Sequence, residues 1–254
     1  MRKNNIKPYV IVLLALLCYN LGHATSIDSI LSKIEFKVIA GSKVGGAAPL
    51  SMPVEIRKIR SYSPANPYFI GAGAQYPITP KWGVSLGVVF EGKGMNTDAT
   101  VKGYKTTFNA NEDPTANITG YYTGDITTNV QNLYISIPIQ ATYQLSHRWR
   151  MELGPYISFA VKRKFFGSAY NGYMREGTPV GDQVDIDNAD YDFKNSVRPI
   201  DVGFSAGTRY GISKRIFALG QLDYGFNNIM KTGFESISFG LHNIFLNVGV
   251  GVKF

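Results

Sequence analysis

The segment Asn243–Phe254, which reads NIFLNVGVGVKF, decides the fold class of this 254-residue chain. Its residues alternate between two faces with a period of two. One face is apolar throughout: Ile244, Leu246, Val248, Val250, Val252 and Phe254. The other face is small or polar after its first residue: Phe245, Asn247, Gly249, Gly251 and Lys253. A strict period of two predicts a β-strand whose two faces meet different environments.

Seven earlier segments repeat this alternation. They are Ile34–Val44, Tyr68–Tyr76, Trp82–Lys93, Leu133–Leu145, Trp149–Lys162, Ile200–Ile212 and Ile216–Phe226. Several reach a dozen residues, and a strand that crosses a bilayer needs ~9–11. Pro138 and Pro155 each remove one hydrogen-bond donor from a strand, so we expect β-bulges at these two positions.

The face opposite the apolar one carries many charges. These are Glu35, Lys37, Glu91, Arg150, Glu152, Lys162, Asp201, Arg209, Asp223 and Lys253. A soluble lipocalin-like barrel places apolar residues inside around a ligand, and burying so many charges in such a core would cost too much. We therefore predict that the apolar face meets lipid and the charged face lines the interior.

The connections between the eight strands alternate in length. Residues 77–81, 146–148 and 213–215 form short turns, whereas residues 47–67, 96–128, 166–197 and 231–242 are long and polar. An even strand number with short turns at one rim and long loops at the other is typical of outer-membrane barrels. We therefore predict an all-β fold: an eight-stranded antiparallel transmembrane β-barrel with short periplasmic turns and long extracellular loops. Tyr104, Phe108, Tyr121 and Tyr122 would allow the 96–128 connection to extend its flanking strands as a hairpin.

The first residues are typical of an export signal. Arg2, Lys3 and Lys7 precede a short apolar run, and Gly22-His23-Ala24 supplies small residues at a cleavage site. We predict a cleaved signal peptide at residues 1–24, a periplasmic segment at 25–33 and the barrel domain at 34–254. Cys18 leaves a lipoprotein acylation site as an alternative, although Leu17 stands where such sites have Gly or Ala.

Charge and cysteine content narrow the range of possible partners. Without residues 1–24 the chain has no cysteine, and its Lys and Arg fall from 26 to 23 against 18 Asp and Glu, an excess of +5. Basic chains can bind nucleic acid, but export argues against that partner, and anionic lipopolysaccharide fits better. A terminal aromatic strand resembles the signal that the barrel assembly machinery reads. We therefore expect outer-membrane lipid, lipopolysaccharide and that machinery as partners.

Four stretches resemble a known family. They are Tyr134–Ile139 (YISIPI), Leu153–Tyr156 (LGPY), Asp201–Phe204 (DVGF) and Leu222–Ile229 (LDYGFNNI). They are similar to the PorT-like outer-membrane β-barrel family of Bacteroidetes, and the similarity spans Ile34 to Phe254. It implies the barrel fold and location in the bacterial outer membrane. The family's namesake is associated with a secretion system, but no residue pattern here carries that role over.

Candidate sites are sparse. His147 lies in a short turn and His242 in a loop at the other rim, so they cannot share a metal or a proton relay. Residues 181–192 hold five carboxylates, but their spacing lacks the Ca²⁺-loop pattern, which favours a solvated acidic loop. Arg57, Lys58 and Arg60 would either contact lipopolysaccharide phosphates or remain solvated. We predict no catalytic residue, no metal and no cofactor.

The inward charges allow two functions. A salt-bridged polar plug would fill a lumen this narrow; the alternative is a narrow channel for small solutes. We expect a non-enzymatic, monomeric barrel that acts through its exposed loops or within an envelope or secretion assembly. Val250→Arg or loss of Phe254 should impair assembly, whereas Asn247→Ser should be tolerated.

Overall fold

A computed structural model describes residues 33–109, 117–234 and 236–254. The predicted signal peptide and residues 25–32 of the segment after it lie outside these ranges. Eleven strands and one short 3₁₀ helix, Lys194–Ser196, follow in order. The strands are β1 Glu35–Ala48, β2 Ile56–Pro64, β3 Tyr68–Pro77, β4 Trp82–Asn109, β5 Asn117–Gln144, β6 Trp149–Lys162, β7 Phe165–Glu176, β8 Gln183–Asp192, β9 Ile200–Gly211, β10 Ile216–Gly225 and β11 His242–Lys253. No helix in this described part is long and apolar enough to cross a membrane.

Eight of the strands close into a ring. Going round it the order is β1, β3, β4, β5, β6, β9, β10 and β11, all paired antiparallel to their neighbours. The last strand, β11, pairs with β1 from Lys37↔Lys253 to Ala48↔His242 and so removes the free edges of the ring. The prediction of an eight-stranded antiparallel barrel is confirmed. The short turns between β3 and β4, β5 and β6, and β9 and β10 all lie at one rim.

The predicted faces are confirmed along the ring. On β11, Val248 and Val250 are 57 % and 56 % exposed, whereas the preceding residue Asn247, on the other face, is 4 % exposed. At the short-turn rim, Trp82 packs on Tyr143 with ring centroids 4.7 Å apart, as an interfacial aromatic belt does. A wide band of exposed apolar side chains around a closed ring is the surface that lipid requires.

The bulges lie elsewhere than predicted. The register of β5 with β6 is the same on both sides of Pro138, and that of β6 with β9 is unbroken through Pro155, so neither proline makes a bulge. A register shift instead separates Leu133↔Lys162 from the next pair of β5 with β6. Because an extra residue reverses the side-chain alternation, Lys162 is exposed and does not point into the barrel. Its predicted inward position is wrong.

Three predicted loops are largely β-structure. The 96–128 connection continues the ladder of β4 and β5 outwards as far as Asn109↔Asn117, which confirms the predicted hairpin. The 47–67 connection contains β2, which pairs with the outer part of β4. The 166–197 connection contains β7 and β8, which extend the sheet from β5. We call these outer parts of β4 and β5, together with β2, β7 and β8, the extracellular sheet.

Apart from the hairpin of β4 and β5, the extracellular sheet was not predicted, because the polarity of its faces is reversed. Within the ring the inward residues of β4 are polar, as at Ser85 and Glu91, and the outward ones apolar, as at Leu86. Beyond Lys93 the same inward face becomes apolar, as at Ala99, while the outward face becomes polar, as at Asp98. The pairing of β4 with β5 keeps its register across this change. The apolar stripe changes sides, so the sequence shows no sustained period.

The inward face of the extracellular sheet covers an apolar core above the barrel. The connection between β10 and β11 packs against this core and supplies several of its members. The buried core residues are Ala47, Ala99, Val101, Tyr104, Phe108, Tyr122, Ile126, Val130, Phe165, Ala169, Met174, Ala189, Tyr191, Val197, Ile229, Met230, Ile237 and Leu241. The protein thus has a polar interior at membrane depth and an apolar interior outside it.

Candidate functional site

Two buried charge clusters fill the lumen. The outer cluster, nearer the extracellular sheet, contains two amines and three carboxylates: Lys43, Lys93, Glu91, Asp201 and Asp223. The Lys93 ammonium lies 2.8 Å from Asp201 and 3.4 Å from Glu91, and its side chain is fully buried. Lys43 pairs with Glu91 and lies 3.5 Å from Asp223. Every charge of this cluster therefore has an opposite charge beside it, as buried ions require.

The inner cluster lies towards the short-turn rim. Glu35 accepts from Arg150 at 3.1 Å and from Lys253 at 2.8 Å. Glu152 pairs with Arg209 and lies 3.7 Å from Lys37. Four cations thus share two carboxylates, which leaves this end of the lumen positive. Arg150 also donates to the Gln75 amide oxygen at 2.6 Å, so neutral acceptors supplement the carboxylates.

The space left in the lumen is small. Between the two clusters lies a cavity of 60 Å³ lined by residues of both, among them Lys37, Glu91 and Asp223. Because one water needs about 10–15 Å³ of such volume, this cavity has room for only a few waters. A wider basic vestibule of 480 Å³, lined by Arg148, Arg150 and Lys253, opens at the short-turn rim. The lumen is therefore closed at its centre by paired charges.

A second, apolar cavity lies outside the membrane-spanning ring. It has a volume of 460 Å³ and is enclosed by the outer ends of β1 and β11, the inward face of β2, β4 and β5, and the connection before β11. Its lining includes Gly46, Met52, Ile56, Ile59, Tyr62, Met95, Thr97, Ala99, Tyr104, Ile126, Ile237, Phe239 and Ile244. We call this cavity the apolar chamber. It was not predicted from the sequence, since most of its walls come from segments interpreted as loops.

The geometry is that of a lipid-facing barrel with a plugged lumen. Comparison with known families agrees with the lipid-facing barrel. Residues 25–231 match the family described as "Outer membrane protein beta-barrel domain". The chain belongs to this family. Since the match covers most of the chain, it establishes location in the bacterial outer membrane as well as the fold. The narrower assignment to the PorT-like group of Bacteroidetes is not shown by this match.

Solved structures of other outer-membrane proteins are similar to this barrel. Ail, the attachment invasion locus protein of Yersinia pestis, is 10 % identical with a TM-score of 0.37, covering 87 % of this chain and 99 % of Ail. Neisserial surface protein A is 12 % identical with a TM-score of 0.34, covering 87 % and 97 %. OprG of Pseudomonas aeruginosa is 12 % identical with a TM-score of 0.33, covering 87 % and 95 %. No curated protein matches the chain.

The two histidines lie at opposite ends of the barrel, as predicted. His147 lines the vestibule at the short-turn rim. His242 is the first residue of β11 rather than part of a loop; its ring nitrogen lies 3.0 Å from the carbonyl of Gly225 and its ring stacks on Tyr224. Neither contacts a carboxylate or hydroxyl that would form a relay among the described residues.

The predicted acidic loop is a strand. Four of its five carboxylates lie on β8, where Asp185, Asp187, Asp190 and Asp192 are exposed while Ala189 and Tyr191 between them are buried. Alternation along a strand spreads the carboxylates rather than gathering them around one point. Across the parts of the chain that the structure describes, no three Asp, Glu, His or Cys side chains are grouped to hold a metal ion.

Of the three basic residues singled out in the 47–67 connection, Arg60 is bound by other side chains and the other two are exposed. Arg60 donates to Asp98 at 2.6 Å and to Asp125 at 2.7 Å, and it also contacts the Tyr170 hydroxyl. The hydrogen bond to Asp98 is the main reason that the pKa of Arg60 is raised. Arg60 therefore ties β2 to β4, β5 and β7 on the outward face and is not free to bind lipopolysaccharide. Arg57 and Lys58 are exposed.

Proposed function

We propose that this outer-membrane β-barrel protein is non-enzymatic, that a salt-bridged plug closes its lumen, and that it acts through its extracellular sheet in an envelope or secretion assembly. The observation that carries the proposal is the lumen itself, where paired charges leave only 60 Å³. A solute could pass only by separating several buried ion pairs, and breaking even one such pair costs ~3–5 kcal/mol.

The extracellular sheet is the part built to meet a partner. Its outward face presents polar side chains held by the Arg60 bonds to Asp98 and Asp125. Among the described residues its last strand, β8, pairs on one side only, with β7. An exposed strand edge offers backbone hydrogen bonds to an added strand, and the carboxylates on β8 discourage pairing between copies of this chain. This arrangement supports a monomer that recruits a secretion or cell-surface protein.

The remaining partners in the proposal follow from location. The band of exposed apolar side chains on the ring would contact outer-membrane lipid, and Arg57 and Lys58 would contact lipopolysaccharide phosphates. The barrel assembly machinery would read the strand β11, which alternates strictly and carries Phe254 after it. Loss of Phe254 should therefore slow assembly, scored by the amount of heat-modifiable protein in the outer membrane.

Two measurements test the proposal. In planar bilayers, the purified barrel should show no discrete openings under conditions where an open porin, reconstituted in the same way, conducts. Stepwise openings by the wild-type protein would favour the alternative, a narrow solute channel. Crosslinking in cells followed by purification should then recover a secretion or cell-surface protein. Replacing Asp187 and Asp190 on β8 by asparagine should produce crosslinks between copies of this chain, whereas the same change at Asp182, outside the strand, should not; the absence of such crosslinks from both variants would contradict the role of the carboxylates at this edge.

A further inference from the structure

The barrel wall has a lateral seam above the membrane. β1 pairs with β3 only as far as Ser42↔Tyr68, and above that point β1 and β2 form no ladder pair among the described residues. One side chain bridges the gap: the Tyr62 hydroxyl donates to the carbonyl of Gly45 at 2.6 Å and accepts from its N–H at 2.9 Å. The apolar chamber lies behind this bridge, since Tyr62 and Gly45 both line it.

The chamber is continuous with the lipid-facing surface. Gly46 and Ile244 are paired residues on the outward face of β1 and β11, and both line the chamber. Two residues further along the same face, Leu246 is 44 % exposed and belongs to the lipid-facing band. The opposite wall is the apolar inward face of the extracellular sheet, including Ile59 and Ala99. A chain leaving the outer leaflet along β11 would meet apolar surface without interruption.

Two cations lie on the strand β2, which forms one wall of the chamber. Arg57 and Lys58 lie on β2 next to Ile56 and Ile59, which line the chamber, and both cations are exposed. Neither has an ion-pair partner within the described residues, in contrast to Arg60 on the same strand. An apolar cavity with free cations at its rim matches the two parts of an anionic amphiphile, an acyl chain and a phosphate.

We infer that the apolar chamber binds one acyl chain of a phosphate-bearing lipid from the outer leaflet, with Arg57 and Lys58 contacting the phosphate. The volume of 460 Å³ falls within the range of small-molecule sites, about 300–1,000 Å³. The inference deepens the proposed function, because it assigns a ligand to the extracellular part of the protein. It is tested separately, since neither conductance nor partner recovery reports on lipid in the chamber.

The test uses dodecyl phosphate that carries a photoreactive diazirine at the end of its chain. It is added to the full-length barrel in maltoside detergent, and crosslinks are mapped by mass spectrometry. Crosslinks should concentrate on chamber residues such as Thr97 and Ala99 and saturate with one ligand per protein. Ala99→Phe, which places a ring inside the chamber, should weaken labelling by about tenfold, equivalent to ~1.4 kcal/mol of binding free energy. The matched control Ala141→Phe places the same ring on the lipid-facing side of β5 and should leave labelling unchanged.

Charge variants and competition by inorganic phosphate distinguish a lipid site from a site for free phosphate. Replacing Arg57 and Lys58 by glutamine should weaken the binding of dodecyl phosphate but not that of uncharged dodecanol. The same change at Lys214 and Arg215, at the opposite rim, should leave the binding of both compounds unchanged. Inorganic phosphate should not displace the probe; displacement at equal concentration would show an ion site rather than a lipid site. If Ala99→Phe does not fold, the positions of the crosslinks in the wild-type protein alone decide whether the chamber is the binding site. Labelling confined to the lipid-facing band around Val250 would overturn the inference.

Discussion

Lys93→Met tests whether paired charges stabilise the plug. The Lys93 side chain is fully buried between Asp201 and Glu91, and its ammonium lies 4.3 Å from the centre of the Tyr156 ring. Methionine is apolar and similar in length, so little cavity is created. What changes is charge: the outer cluster goes from two cations against three carboxylates to one against three. Removing one partner of a buried pair costs ~3–5 kcal/mol, and we expect a loss of that size.

Urea unfolding in phospholipid bilayers measures the loss. The only two tryptophans of the chain, Trp82 and Trp149, are exposed at the short-turn rim, so their fluorescence reports release from lipid. The matched control is Lys81→Met in the turn between β3 and β4, where an exposed substitution should stay within ~0.5 kcal/mol of wild type.

A double variant separates charge from packing. In Lys93→Met with Asp201→Asn, the cluster returns to one excess negative charge, so the double variant should be more stable than Lys93→Met alone. The coupling between neighbouring buried groups should be ~0.5–3 kcal/mol. If Lys93→Met unfolds at the same urea concentration as wild type, or if the two losses simply add, the charges do not act as a plug and the reasoning fails.

Four further predictions follow from the same structure. Val250→Arg, facing lipid near the centre of β11, should lose ~2–4 kcal/mol in the urea assay, and Val250→Leu should not; similar curves would argue against lipid at this face. Asn247→Ser should lose ~1–3 kcal/mol, contrary to the sequence-based expectation, because the Asn247 amide donates to a buried carboxylate at 2.6 Å; an unchanged midpoint would restore that expectation. Gly45→Ala should open the seam to proteases, since Gly45 has φ of +144° and an added Cβ would lie 2.1 Å from a backbone oxygen; resistance equal to wild type would contradict this. Burial raises the pKa of Tyr122 to about 12, so its neutral form stabilises the extracellular core below pH ~10, and this contribution is lost as pH rises from ~10 towards 12; titration of tyrosinate absorbance should show a late component, shared with other buried tyrosines such as Tyr104 and Tyr191, that Tyr122→Phe reduces by one tyrosine.

The ring was predictable because, within it, each strand has lipid on one face and the polar lumen on the other along its whole length. Lipid outside and charge inside impose one alternation from Trp82 to Lys93 and again from Asn243 to Phe254, and the short turns give the rim. The charges of the plug were also visible, as inward positions on these strands. Which cation meets which carboxylate depends on the stagger around the ring, so the pairing of Lys93 with Asp201 could not be foreseen.

Apart from the hairpin of β4 and β5, the extracellular sheet and its chamber were not predictable, for a different reason. Their segments are polar on one side and apolar on the other, but the apolar side is the one that faces inwards, and the segments are rich in Thr, Asn and Gly. The bulge before Lys162 left no mark in the sequence either, since the apolar residue Val161 continues the pattern. Conversely, Pro138 and Pro155 suggested bulges and produced none, because the ladder keeps its register past both of them.

The continuity of β4 and β5 also couples the extracellular part of the protein mechanically to the barrel. Each strand has 28 residues, a length of about 90 Å at the rise of an extended chain. The pairing runs from Trp82↔Tyr143 to Asn109↔Asn117 with a single register shift, between Val101 and Tyr104. No hinge separates the part outside the cell from the wall of the barrel. A pull on the outer end of this hairpin therefore loads the peptide hydrogen bonds in shear, and the force passes directly into the membrane-embedded ring.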